Sequence, residues 1–457
     1  MVDQVTPHYV IVQLASPAHN WFAGTFTNLP TDTEVTIGLS MAGNDTKGNA
    51  ADVKKWMGLM PMMTYADPTQ YETYEWFTKD KDGRWVSGDP FKQGEAKCAG
   101  AGKVPDQTVI PKEVAEQFLS QDGTYWQAWR EVDKAEAVTG INVFRITQQF
   151  TLPTATIAMR VPFNYTYLQL LHEKIRNAKF PGVTLELIGT SGEGRPLNII
   201  RLDPLDKEWF ETCPTVIVYA REHATEHDSS WAVMGMLRRF LLADPTQRKV
   251  RWLLVPILMP DKAISSSFEL GDYFRAVKPV MPEIISYATY FVNLINKGKR
   301  LDIVINIHNI ECNEGANIEC PMVNRIYKEV VYNQNDMLFK EANNYGYSAG
   351  SPSGWDHGIM GLRLSGWCFV KFRTLDLYYE VNSRYPRCKM TLSQSQQLGA
   401  VIALSTNTFT TSAHYRVLRD EMTKWLSQRQ SHREEWWKQI GHSENQRTEF
   451  DLLTMGY

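Results

Sequence analysis

Four segments in the middle and late parts of the chain are apolar almost throughout: TVIVYA (215–220), RWLLVPIL (251–258), LDIVINIH (301–308) and LDLYYEV (375–381). A strand with one wet face alternates apolar and polar residues. A run without alternation has both faces covered. Helical spacing appears between these runs, in YLQLLHEKIRNA (167–178) and DSSWAVMGMLRRFLL (228–242). Doubly buried strands interleaved with helices predict an α/β unit, a mixed or mainly parallel sheet with helices on both faces. VTLELIGTSGEGRPLNIIRLD (183–203) reads as strand, Gly-rich turn, strand at its start.

The pattern is different before Pro162. YVIVQL, WFAGTFTNL, EVTIGLS, YETYEWFTK and NVFRITQQF are short strand-like runs, separated by turn residues such as Asn28, Pro30 and Asp32 and by the DKDG turn. Close turn spacing with period-2 alternation predicts an antiparallel β-sandwich. With 457 residues, the chain has room for two domains. The expected division is a β-sandwich over 1–160 and an α/β domain over 161–457. The latter carries a C-terminal amphipathic helix around 415–440. Residues 88–135 read as a long loop followed by a short helix, KEVAEQFLSQ.

Charge and cysteines narrow the function. The 48 basic and 51 acidic side chains leave a net charge of −3, against nucleic-acid or anionic-membrane binding driven by bulk charge. No apolar run approaches the ~18–20 residues of a membrane span. MVDQVTPHYVIVQL lacks the basic and apolar regions of a signal peptide. The cysteines at 98, 213, 312, 320, 368 and 388 form no CxxC, so buried or free thiols are expected.

HxxE occurs at His223/Glu226, His308/Glu311 and His432/Glu435. Ten histidines at this acid content should yield about one such pair by chance, so position has to separate them. His432/Glu435 lies in SQSHREEWWKQ and reads as a solvated helix face. His308 ends one buried strand, and His223 follows another by three residues. Open α/β sheets bind ligands beyond the carboxyl ends of their strands. His223, Glu226 and His308 together offer three protein ligands, the number a catalytic zinc takes while keeping one position for water. The alternative is three unrelated polar residues at loop starts.

Five segments, in order, resemble the metallocarboxypeptidase family: TLELIGTSGEGRPLNIIRLD, VYAREHATEHDSSWAVM, RWLLVPILMPD, DIVINIH and LYYEVNSR. WFAGTFTNLP, KWMGLMPMMTYADP and PFNYTYLQLL are similar to its cytosolic branch, which carries a β-sandwich before the catalytic domain. The resemblance implies one zinc ion per chain, bound by His223, Glu226 and His308, with Glu380 as general base. It also implies removal of a C-terminal residue from a peptide or small peptide-like substrate by zinc-activated water, and a cytoplasmic location.

This sequence departs from the family at three places. The stretch from Asp261 to His308 is short and holds no clear match for the second arginine that polarises the scissile carbonyl. Where an Asn-Arg pair holds the substrate carboxylate, GDYFR has Phe274 and Arg275. Arg275 is the expected anchor, with Arg221, Arg373 and Arg384 as substitutes. The tyrosine usually found before the glutamate is missing; that stretch offers Trp355, Asp356 and His357. These departures keep open a zinc amidohydrolase or deacylase acting on a small substrate without a peptide C-terminus, and a binding protein on a degenerate fold. The string His223-Ala-Thr-Glu-His227 also matches the inverted zincin signature, which requires His223 and His227 on one helix.

Overall fold

The computed structural model describes residues 2–6, 9–14, 23–41, 62–65, 77–79, 82–87, 112, 127–128, 134–138, 141–265, 274–275, 278–309, 317–320, 353–354, 363–372, 374–381, 384–385, 388–389, 392–413, 415–417 and 419–420. The expected helix KEVAEQFLSQ beyond Lys112, most of the expected helix at 415–440, and Trp355, Asp356, His357 and Arg373 lie outside the described residues.

The front part is built from strands. β1 (Val2–Thr6), β2 (Tyr9–Leu14), β3 (Ala23–Phe26), β4 (Glu34–Met41), β5 (Met62–Thr64), β6 (Phe77–Lys79), β7 (Trp85–Ser87), β8 (Gln127–Ala128), β9 (Lys134–Val138), β10 (Ile141–Gln149) and β11 (Ala155–Ala158) follow one another. They form a five-stranded sheet ordered β1-β2-β4-β10-β9, a four-stranded sheet ordered β3-β11-β5-β8, and the hairpin β6-β7. One expectation is corrected here: the larger sheet is not purely antiparallel, because β2 and β4 run parallel. The chain leaves β2, passes through β3 in the other sheet, and re-enters beside β2 in the same direction. A hairpin cannot make that connection; a crossover can.

The second part begins with helix α1 (Tyr165–Ala178). The Asn164 side chain accepts the Tyr167 N–H at 2.9 Å, satisfying an orphan donor at the helix start. The helix ends where Lys179 turns left-handed at φ 49°. Its buried residues Tyr167, Leu168, Leu171, Ile175 and Ala178 lie on one stripe at helical spacing.

Next come β12 (Val183–Thr190), β13 (Pro196–Leu202), α2 (Lys207–Thr212), β14 (Thr215–Ala220), α3 (His227–Leu242), β15 (Arg251–Val255), α4 (Pro260–Ser265), β16 (Phe274–Arg275), β17 (Lys278–Pro279), α5 (Pro282–Asn296), β18 (Ile303–Asn309), β19 (Asn317–Cys320), β20 (Ser353–Gly354), α6 (Leu364–Phe372), β21 (Leu375–Val381), β22 (Arg384–Tyr385), β23 (Cys388–Lys389) and α7 (Leu392–Thr410). Eight strands form one sheet ordered β12-β13-β15-β14-β18-β21-β19-β20. The central four, β15-β14-β18-β21, are parallel, and β12, β13 and β19 pair antiparallel beside them. This is a mixed α/β sheet with a parallel centre.

Every residue of β14, β15 and β18 is buried, which is why these segments show no alternation. Helix α3 packs between the sheet and α7, and the two helices touch at glycines. A Cβ on Gly235 would stand 1.8 Å from the Gln396 carbonyl oxygen, and one on Gly399 would stand 1.8 Å from that of Ala232. Cys213 and Cys368 are buried free thiols. No helix among the described residues is long and apolar enough to cross a membrane.

Candidate metal centre

β14 lies between β15 and β18. The chain passes from β14 through α3 to β15 on one side, and only later returns as β18 on the other. The direction of winding therefore reverses at β14, and a crevice opens beyond the carboxyl ends of β14 and β18. His223 and Glu226 lie in the turn after β14, while His308 lies near the end of β18. The turn begins with Arg221 in the left-handed region at φ 60°. It is closed by the Glu226 N–H to the His223 carbonyl (3.4 Å) and the His227 N–H to the Thr225 carbonyl (3.1 Å).

The three expected ligands come together there. His223 Nδ1 is 2.7 Å from Glu226 Oε1, His308 Nδ1 is 2.9 Å from Glu226 Oε2, and the two Nδ1 atoms are 3.2 Å apart. One ligand atom from each of the three lies within 4.8 Å of the others. His308 is fully buried and Glu226 nearly so. Two imidazole nitrogens and a carboxylate oxygen form a donor set that suits zinc, and three protein ligands leave a coordination position open.

Electrostatics point the same way. Glu222, beside His223, is also buried, and its Oε2 is 3.0 Å from His308 Nε2. Burial disfavours a charged His308, but Glu226 and Glu222 outweigh it and push the ring up to about 10. Burial would raise Glu226, yet His308 and His223 hold it below the usual carboxylate range. Burial likewise opposes ionisation of Glu222, and its hydrogen bond to His308 and the nearby charges hold it low. Two ionised carboxylates in a dry place require local positive charge. A divalent cation on the Nδ1 side would supply it in place of the His308 proton.

Several groups fix the surroundings. The Tyr378 ring stacks on His308, with centroids 4.3 Å apart at 28°, and the Arg363 guanidinium lies 4.7 Å from the Tyr378 centroid. Asn309 accepts the Ser229 N–H at 2.9 Å and donates to Asp228 Oδ2 at 3.2 Å. Arg160 pairs with the same Asp228 oxygen at 3.0 Å. These bonds tie the end of β18 to the first turn of α3, and hence His308 to the Glu226 turn.

The other expected residues fall as follows. The backbone of Glu380 on β21 lies directly in register with that of His308 on β18. Arg275 lies on the two-residue strand β16, its backbone paired with that of Lys278 on β17. Arg221 is fully buried and donates to the Phe163 carbonyl at 2.6 Å, so it serves the fold rather than an open pocket. Burial lowers its pKa to about 9. His227 is the first residue of α3, and His223 precedes that helix. The one-helix geometry of the inverted zincin is therefore absent, and the described metal-competent group contains His308 instead of His227. Glu222 is the residue that the sequence reading missed. Its signal is a carboxylate immediately before a candidate ligand, a position that pattern matching passes over.

Comparison with known proteins places this geometry. Residues 169–265 match the family model described as zinc carboxypeptidase. Human cytosolic carboxypeptidase 1 is 26% identical over 170 residues, covering 32% of this chain and 14% of that protein; the mouse protein matches to the same extent. The chain thus spans a small part of the length of these relatives. A metallo-carboxypeptidase from Burkholderia cenocepacia has a similar fold, with a TM-score of 0.61 and 13% identity over 89% of this chain and 95% of that one. So does a metallo-carboxypeptidase from Pseudomonas aeruginosa, solved with (2-guanidinoethylmercapto)succinic acid. It gives a TM-score of 0.58 and 16% identity over 92% and 96% of the two chains. The segment that supplies His223 and Glu226 thus matches the zinc carboxypeptidase model, and the fold around it is similar to that of metallo-carboxypeptidases.

Proposed function

We propose that the chain is a zinc-dependent, metallocarboxypeptidase-like hydrolase that removes a C-terminal residue from a peptide or small peptide-like substrate. The observation that carries this reading is the convergence of His223, Glu226 and His308 at the switch point of the sheet. A single zinc ion held by these three residues would supply Lewis acidity and lower the pKa of a water to about 7. His223 and His308 contribute neutral nitrogen ligands, and Glu226 contributes the compensating negative charge. Glu380, in backbone register with His308, is the general base: it takes a proton from the attacking water and passes it to the leaving amine nitrogen.

Arg275 is proposed as the anchor for the terminal carboxylate, because a carboxylate removed from water needs a fixed, preferably bidentate, cation. Phe274 stands beside it where the family has an amide. Residues 1–160 are proposed as a β-sandwich unit, supported by the two front sheets and by the 3.6 Å approach of Gln148 Nε2 on β10 to Met63 Sδ on β5. A cytoplasmic location fits the naming of the human and mouse relatives as cytosolic. No nucleic-acid or membrane partner belongs to this proposal.

The test uses zinc-loaded protein and matched peptides with free or amidated C-termini. The proposal expects the last residue to be released much faster from the free peptide than from the amidated one, whose cleavage is residual. Arg275→Ala should lower kcat/KM for free-carboxylate substrates and spare amidated analogues. Equal cleavage of both peptide classes, or equal loss in both, points instead to the amidohydrolase reading that the altered Phe274–Arg275 segment leaves open.

A further inference from the structure

Glu222 lies behind His308, on the side of the ring away from the other two ligands. His308 Nδ1 faces His223 and Glu226, whereas Nε2 faces Glu222 Oε2 at 3.0 Å. The two nitrogens of an imidazole point outward in different directions, so Glu222 does not share the ligand cluster, and the metal-competent group excludes it. Glu222 is itself held. Asn306 Nδ2 donates to the same Oε2 at 2.6 Å. Asn306 stands two residues before His308 on β18, so strand alternation places both side chains on one face. Glu222, Asn306 and His308 are all buried. Tyr378 stacks on the ring and limits its tilt.

We propose that Glu222 is a positioning residue for the metal centre: it accepts the Nε2–H of His308 and thereby fixes the tautomer and ring plane that present Nδ1 to the cation. This inference rests on the zinc reading above. A neutral imidazole carries one ring proton, and the partner of one nitrogen decides which nitrogen keeps a lone pair. Without a carboxylate at Nε2, the proton has no preferred seat, and Nδ1 must compete for it with the metal. An anionic acceptor also makes the ligand nitrogen more basic. Removing such an outer partner typically weakens metal binding on the order of 10–100-fold.

The experiment compares wild type, Glu222→Gln, Glu222→Leu and His308→Ala in the full chain. It reads zinc affinity by chelator competition and the absorption spectrum of the cobalt-substituted protein. It also reads the low-field ring N–H resonance that the zinc-loaded wild type should show and His308→Ala should lack. Wild type must first bind about one zinc; if it does not, the zinc reading itself fails. Given wild-type binding, Glu222→Leu should bind zinc roughly 10–100-fold more weakly and alter the cobalt spectrum. Glu222→Gln keeps a neutral acceptor. It should recover most of the affinity while moving the His308 resonance, because the hydrogen bond loses its charge. Wild-type affinity and an unchanged cobalt spectrum in Glu222→Leu overturn the proposal. If the leucine variant does not fold, Glu222→Gln decides: an unmoved His308 resonance overturns the proposal and a moved one supports it.

Discussion

His227 Nδ1 accepts the backbone N–H of Phe163 at 2.8 Å, across 64 positions of sequence. Arg221 Nη1 stands 3.0 Å from the same nitrogen and donates to the Phe163 carbonyl. An accepting Nδ1 leaves the neutral ring's proton on Nε2, so His227 has no lone pair to offer a metal. It joins the chain entering α1 to the start of α3, while His223, four residues earlier, faces the ligand cluster.

The two histidines therefore separate by metal content. His223→Ala or His308→Ala should lose most of the zinc, whereas His227→Ala should keep it. The His227 change should cost about 1–3 kcal/mol, because a buried N–H loses its acceptor. Elemental analysis after dialysis checks the first part and urea unfolding the second. Retained zinc in His308→Ala together with loss in His227→Ala would restore the inverted-zincin assignment.

Glu380→Gln separates base from ligand. The proposed general base is typically worth ~10²–10⁴-fold in rate, so this variant should hold zinc at wild-type stoichiometry and lose turnover by that order. Full turnover in the zinc-replete variant places the base elsewhere.

The contact between α3 and α7 is set by two glycines. A Cβ at Gly235 meets backbone of Gln396, and one at Gly399 meets backbone of Ala232, both far inside van der Waals contact. Backbone cannot swing aside as a flexible side chain can, so the helices must separate. Gly235→Ala or Gly399→Ala should destabilise by at least the ~1–3 kcal/mol typical of overpacking, despite alanine's better helix propensity. A lowered Tm checks this; an unchanged or raised Tm contradicts the close approach.

His172 on α1 gives a pH signature. Burial, helped by Arg176, lowers its pKa from 6.5 to about 4. Between these values the unfolded chain binds a proton that the folded protein refuses. This contribution to stability is therefore fully present above pH ~6.5 and is lost as pH falls toward 4, at up to about 1.4 kcal/mol per pH unit. His172→Leu should flatten that part of the stability–pH curve, measured by denaturant unfolding at several pH values. An unchanged slope means that His172 does not titrate in this way.

What the sequence determined by itself is the central architecture. TVIVYA, RWLLV, IVINIHN and LDLYYEV became β14, β15, β18 and β21, because the lack of alternation directly reflects burial on both faces. The candidate ligands were legible for the same local reason: His308 stands at the end of one such strand, and His223 and Glu226 lie in the turn that follows another. Three features were decided by tertiary structure alone. The parallel pairing of β2 with β4 depends on a crossover through another sheet, which no local period encodes. Helix α7, LSQSQQLGAVIALSTNTFT, has a weak amphipathic signal, and its place depends on Gly399 meeting Ala232. The contact between Glu222 and His308 joins residues 86 apart and exists only because β14 and β18 are neighbours. A sequence displays the periodicity of each element, but it does not show which strand lies beside which. Side chains from distant segments meet only after the sheet order has been set.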